Sequence, residues 1–414
     1  MNVIKKSSKL YQGLFFLLML SLYFGRFNIN IGFSLKPFMI ITLAIIVITL
    51  KHISFSRLFT FEIFMLVFIF VHSMTALNLR YPGMSIRFII LYLLIIIFYF
   101  TGRSMIRKID IISMETIISK SGFVGIVASL LYYFMGVLAS GMNFWGNNIN
   151  YYGLMIDRST PRLTGVASHD PNIFVFYVTL YFFFTITHLN NKLNKIGFIL
   201  TSTAIILTFS RGAYLALGFG LLLIFILAKG LKKKLKVLIT SIFALFTLIF
   251  AGNKLTINPY NYIISRFSSF SVDGGSGRLT IWSNAINTFL ENPIFGIGIN
   301  SIREYNLENF SRAVYVHNSL LEVLVETGVV GITIYFIFWF LIIKQSFLIM
   351  KNNQETKFIF ITFIAMFIQM NSLSILYNEA FYFVVLLLYR YSIETYRNRQ
   401  ENLSKGSEGG IFNE

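Results

Sequence analysis

Val316-His317-Asn318-Ser319-Leu320-Leu321-Glu322, followed by Glu326-Thr327-Gly328, closes the one long polar segment of a 414-residue chain. That segment spans residues 251–331 and mixes glycine, aromatic and charged residues with little low complexity. On either side of it the sequence is a succession of apolar runs joined by tight loops. Long structured loops in compact proteins usually carry function. An extended polar segment in an otherwise apolar chain therefore reads as the working part of a membrane protein.

Composition supports that frame. The chain is 56% hydrophobic, 17% aromatic and only 13% charged, with mean hydropathy +0.71. Soluble proteins carry roughly 25% charged residues, so an integral membrane protein is expected. The net charge of +18 is the positive-inside excess of a multispanning chain rather than a nucleic-acid footprint. Without cysteine there is no disulfide, thiol chemistry or Cys-based metal site. Lys5, Lys6 and Lys9 precede an apolar run at 10–24 that meets Gly25-Arg26-Phe27-Asn28 instead of a small-residue cleavage site, and it is read as a retained first span.

The expected fold is an all-α bundle of about twelve transmembrane helices. Apolar runs of suitable length fall at 10–24, 35–50, 58–77, 86–101, 117–139, 172–188, 196–209, 213–228, 237–251, 328–343, 358–376 and 380–391. Most of the 35 lysines and arginines lie in loops on the side of the two termini, which places both termini in the cytoplasm. All six prolines (Pro37, Pro82, Pro161, Pro171, Pro259, Pro293) fall on the other side or at its edge. The chain is thus expected to divide into spans 1–5 (1–140), an outer loop with spans 6–9 (141–251), the long outer loop carrying part of the active site (252–327), spans 10–12 (328–393) and a cytoplasmic tail (394–414).

Several outer residues have the chemistry of a site. Arg211, in the short turn Phe209-Ser210-Arg211-Gly212, is a charge at a depth where charge is costly and tends to be functional; the plainer reading is an arginine that snorkels. Its guanidinium fork suits phosphate or pyrophosphate. Gly274-Gly275-Ser276-Gly277-Arg278 leads into Leu279, Trp282, Ile286, Phe289 and Leu290 at helical spacing, an amphipathic helix suited to a membrane surface. For Arg278 and Arg266 a solvated or headgroup contact weighs equally. His317 has the ordinary pKa of a base at neutral pH, although a lone His at a helix start is more often structural. Glu322 and Glu326 share a helical face and would orient it, bind sugar hydroxyls or simply face water. No DxD, HExxH or phosphate-binding glycine loop is present.

In order along the chain come Arg162-Leu163-Thr164-Gly165, Pro171-Asn172, Ser210-Arg211-Gly212 with Leu215, Gly277-Arg278 with Trp282, Asn292-Pro293-Ile294-Phe295-Gly296-Ile297-Gly298, and His317-Asn318 with Glu326, Gly328 and Gly331. This series resembles the O-antigen polymerase/ligase family of bacterial membrane glycosyltransferases. Arg211 to Leu215 fits its Arg-x3-Leu spacing, His317 to Gly328 its His-x10-Gly spacing, and Arg266 to Gly277 an Arg-x10-Gly pattern of polymerases. The resemblance covers roughly residues 160–345.

It implies a donor glycan on undecaprenyl pyrophosphate, used at the outer face of the bacterial cytoplasmic (inner) membrane without metal or other cofactor. His317 would deprotonate the acceptor hydroxyl. Arg211 would neutralise the departing pyrophosphate, with Arg278, Arg266 and Arg162 as further pyrophosphate or substrate contacts beside Asn318, Glu326 and Asn172. Membrane lipid, a chain-length regulator and a flippase are the expected partners; nucleic acid is not. Polymerisation of repeat units is the preferred activity, and ligation of finished glycan to lipid A core or protein the alternative. A flippase or transporter is a second alternative, for which the intramembrane pair Glu62 and His72, ten residues apart, offers little, since the two cannot meet on one helix.

Overall fold

The computed structural model describes residues 9–30, 34–49, 57–78, 81–228 and 277–408, with scattered positions between 230 and 262. A chain this apolar must satisfy its backbone internally, and helices do so within a single segment. Among the described residues the helices are α1 (Lys9–Tyr23), α2 (Pro37–Thr49), α3 (Thr60–Met74), α4 (Pro82–Ile106), α5 (Ile111–Ala139), α6 (Pro171–Thr187), α7 (Lys192–Leu207), α8 (Arg211–Leu227), α9 (Arg278–Glu291), α10 (Ile302–Phe310), α11 (Ser319–Asn352), α12 (Lys357–Met370) and α13 (Glu379–Glu408). Each expected span coincides with a helix except the ninth, at 237–251, most of which lies outside the described residues. Among the described residues four stretches are long and apolar enough to cross a membrane: Thr60–Leu77, Pro82–Ile106, Ile111–Ala139 and Ser319–Asn352.

Capping residues set several starts. Asp110, Asp170, Asn191, Ser210 and Asn318 each accept hydrogen bonds from backbone N–H groups of the helix they open, and Pro82 and Pro171 occupy first-turn positions where no N–H is needed. The α6 helix is buried from Phe174 to Ile186 on every face, and α13 likewise from Ala380 to Tyr389. Helices apolar all round belong in the middle of a bundle, and these two form its centre. Small residues let neighbours close on them. A Cβ at Gly122 of α5 would lie 2.1 Å from Tyr181 of α6, and one at Gly197 of α7 would lie 2.2 Å from the same side chain, so Tyr181 fills a slot between two helices that only glycine leaves open.

The all-α expectation needs one addition. Between α5 and α6 the chain forms an antiparallel sheet of β3 (Ile149–Tyr151), β4 (Leu154–Asp157) and β5 (Thr160–Leu163), after a two-residue pairing of β1 (Ile29–Asn30) with β2 (Ser34–Leu35). Arg158 and Ser159, both at positive φ, make the mirror-image two-residue turn that matches strand twist. All four residues of β5 are buried.

The part of the long polar segment from residue 277 onward is folded. Trp282, Ala285 and Phe289 of α9 pack with Ile297, Ile302, Tyr305, Val316 and Val325 into a small second core. Leu279, Ile286 and Leu290 on the other side of α9 are exposed, as are Ile294 and Phe295.

The α11 helix is broken at Gly328, where φ is 62° and ψ −160°. The motif 292–298 fills the break. Ile297 and Gly298 donate to the carbonyls of Val325 and Glu326 at 2.9 and 3.1 Å, while Val329 and Val330 donate to Pro293 and Ile294 at 2.8 and 3.4 Å. Backbone groups freed by the break are thus paired by an inserted turn, the condition under which a helix can be interrupted inside a bundle. The sequence expectation of a span beginning at 328 marks this break; the helix itself starts at Ser319. Similarly, the expected span 358–376 ends early, because α12 stops at Met370 and residues 371–378 form a connector.

Candidate active site

The connector between α12 and α13 joins the start of α11 to the start of α8. Ser374 Oγ accepts from the backbone N–H of His317 at 3.0 Å and donates to Glu322 in the first turn of α11. Ser319 Oγ donates to Leu373 O at 2.7 Å and accepts from Ile375 N–H at 3.1 Å. On its other flank, Ser372 lies where a Cβ on Gly212 would come within 2.6 Å of its hydroxyl. The start of α8, which carries Arg211 as its first residue, therefore abuts the same connector that holds His317.

His317 adopts φ 53°, a left-handed conformation uncommon for a residue with a Cβ. Val316 beside it is fully buried, and Trp282 Nε1 donates to Val316 O at 3.1 Å, so α9 and the connector pin the histidine from two sides. His317 is exposed, yet protein surrounds the imidazole closely enough that loss of water lowers its pKa; the nearby Arg278 guanidinium lowers it further, and the Asp170 carboxylate partly opposes both. Partial burial also lowers the Arg278 pKa, against the attraction of Asp170. His317, Arg278 at the start of α9 and Asp170 at the cap of α6 thus share one electrostatic neighbourhood. A histidine so placed is neutral near pH 7 and able to accept a proton.

The remaining sequence candidates divide by what they touch. Arg162 on β5 is buried and donates to Thr208 O (2.8 Å), Asp157 Oδ2 (3.0 Å) and Asn172 Oδ1 (3.0 Å). It ties the β4–β5 hairpin to the end of α7 and the first turn of α6, and Asn172 is part of the same tie. Asn318 caps α11, its Oδ1 accepting from Leu320 and Leu321 N–H. These three side chains position the neighbours of Arg211 and His317. Arg266 lies outside the described residues.

Glu326 is buried, with Oε2 2.9 Å from Nε2 of His72, whose Nδ1 lies 2.9 Å from the Tyr92 hydroxyl. The pairing of Glu62 and His72 considered from the sequence is replaced by two separate ones, since Glu62 Oε1 sits 2.8 Å from Arg103 Nε. Sequence reasoning missed Ser374 and the contribution of 371–378 altogether; its only signal was a run of small polar residues, Asn371-Ser372 and Ser374, inside an apparent span.

No curated protein matches the chain. Residues 196–336, from α7 through the first part of α11, match the family model described as O-antigen ligase. Beside an apolar helical bundle whose candidate site lies largely on those same elements, that match supports an O-antigen polymerase/ligase family assignment.

Proposed function

We propose that the protein is a glycosyltransferase that polymerises undecaprenyl-pyrophosphate-linked repeat units at the outer face of the bacterial inner membrane. The observation that carries this reading is the convergence of a neutral histidine with an arginine and a capping carboxylate at one end of the bundle, beside the connector that meets the Arg211 helix. In the reaction a ring nitrogen of His317 takes the proton of the acceptor hydroxyl. The hydroxyl oxygen bonds to the anomeric carbon of the donor, and the bond from that carbon to the pyrophosphate oxygen breaks. The electron pair leaves with undecaprenyl pyrophosphate. Arg211 and Arg278 offset the charge gathering on it, as fixed cations do most effectively where little water competes. Arg162, Asn172 and Asn318 hold the scaffold.

Ligation is the second reading, favoured by the description of the matched family. Both are tested by the surface-glycan ladder and the extracted lipid-linked glycan of a deletion strain carrying wild type or His317→Ala. Loss of the ladder with single repeats transferred supports polymerisation. Long glycan stranded on the carrier supports ligation. Full rescue by His317→Ala removes the role of the histidine in either.

A further inference from the structure

One face of α9 is both apolar and exposed. At about 3.6 residues per turn, Leu279, Ile286 and Leu290 fall within roughly 40° of one another, and all three are exposed, Leu290 at 66%. On one flank of this stripe Trp282 and Phe289 turn into the second core. On the other stand Thr280, Ser283, Asn287 and Glu291, all polar and exposed, with Glu291 accepting a hydrogen bond from the Tyr305 hydroxyl of α10 at 2.6 Å. The helix therefore has three sectors: one packed on protein, one polar, and an apolar one between them that neither covers. A helix facing only water on its outer side needs the first two alone. The third marks a contact with lipid or with another protein.

What adjoins the stripe decides between these. The turn after α9 carries Ile294 and Phe295, the latter 68% exposed, and it is bonded to α11 just beyond the break, where Val329 and Val330 donate to Pro293 and Ile294. From that point Val329, Phe336, Phe340 and Phe347 recur along α11 within roughly 40° of one another, and all four are exposed. The 329–352 part of α11 is about 36 Å long, enough for the ~30 Å hydrocarbon core. This row is thus the lipid-facing side of a span that begins at Val329. By way of Ile294 and Phe295 the stripe of α9 runs into that lipid-facing surface at the level where the hydrocarbon starts.

We propose that α9 and the 293–295 turn are seated in the bilayer, the helix lying along its surface with Leu279, Ile286 and Leu290 in the boundary between acyl chains and headgroups. Leu279 and Leu290 stand about 16 Å apart along the axis, so a helix that embeds both lies flat. Arg278, the first residue of α9, is then held at headgroup depth, and His317 in its electrostatic neighbourhood with it. The lipid surface sets the height of the site. This seat is independent of the glycan-transfer reading, since no step of that reaction enters it.

The chain has no cysteine, so a nitroxide on a single introduced cysteine reports one position of the full-length protein, reconstituted in vesicles of phosphatidylethanolamine and phosphatidylglycerol. Labels go at Leu279→Cys, Ile286→Cys and Leu290→Cys on the stripe, Asn287→Cys on the polar flank and Phe340→Cys on the α11 row. All five side chains are exposed, so the changes remove little packing. The readout is collision with oxygen, which concentrates in lipid, relative to collision with a water-soluble nickel chelate. The ratio at 279, 286 and 290 should exceed that at 287 several-fold, stay below that at 340, and agree among the three. Stripe ratios equal to that at 287 place the face in water and overturn the seat. Suppressed collision with both reagents places it under protein, another part of this chain or a second copy, and overturns the seat equally. A lipid ratio at 290 with an aqueous one at 279 overturns the depth assigned to Arg278. A normal ladder from His317→Ala would remove the catalytic reading and leave these collision ratios unchanged.

Discussion

Substituting Gly328→Ala should cost about 3–5 kcal/mol, and the sum can be built from the contacts at the break. The backbone there, φ 62° and ψ −160°, lies in a region essentially reserved for glycine, with a penalty of roughly 1–3 kcal/mol for another residue. An added Cβ would also lie 2.3 Å from the Ile294 carbonyl oxygen, so the inserted turn must move. Straightening α11 would restore helical partners to Val325 and Glu326 but orphan the N–H groups of Ile297 and Gly298 and the carbonyls of Pro293 and Ile294. At a net ~0.5–1.5 kcal/mol per hydrogen bond, that loss supplies the rest. For a chain of this size the apparent melting temperature should fall on the order of 5 °C, read by tryptophan fluorescence of the detergent-purified protein, and the polysaccharide ladder should weaken. Gly218→Ala is the control, since a Cβ there meets nothing within 4 Å; it should be neutral or gain up to about 1 kcal/mol of helix propensity. If Gly328→Ala melts with wild type and supports a normal ladder, the inserted turn does not hold the helix break.

Other expectations follow from the same geometry. A base works only while neutral, so activity falls as pH drops through the pKa of His317. Because the Arg278 charge lowers that pKa, Arg278→Gln should move the acidic limb of the pH–rate profile to higher pH, and Asp170→Asn, which keeps the helix cap, should move it lower. A shift in the same direction for both would refute the electrostatic grouping. Arg162→Ala should destabilise by about 2–4 kcal/mol by removing three hydrogen bonds of a buried cation, and Arg162→Lys should recover little of it because an ammonium cannot reach three acceptors as the planar fork does; melting temperatures decide. At position 317, with φ 53°, the Gly substitution should be more stable than the Ala one by about 1 kcal/mol, with both failing to restore the ladder. Equal stability would mean that the left-handed turn carries no strain.

The helices were legible because each apolar run must pair its own backbone, and Asp-Pro, Asn-Ser and Ser-Arg-Gly junctions punctuate them. Arg211 and Arg278 stand out in the sequence as charges at unusual places, and His317 as a lone base near them. What escaped the sequence was pairing across distance. Glu326 meets His72 across 254 residues, and neither residue's neighbours announce it. The three-stranded sheet was hidden because β5 is buried on both faces and shows no alternation. The connector at 371–378 was absorbed into an apparent span, since hydropathy averages over Leu373, Ile375 and Leu376 and cannot register that the helix has ended.

The turn seated in the break of α11 gives the segment 292–330 the logic of a clasp: its two ends are fastened to each other by backbone hydrogen bonds before any side chain is considered. Everything between them, including the buried Asn300 and the histidine, hangs on a loop closed at its base. Its length is therefore constrained. A residue added between Gly298 and His317 would re-aim the base. Exchanged between relatives with both ends of the clasp, this piece should behave as a cassette; cut at either end, it should not.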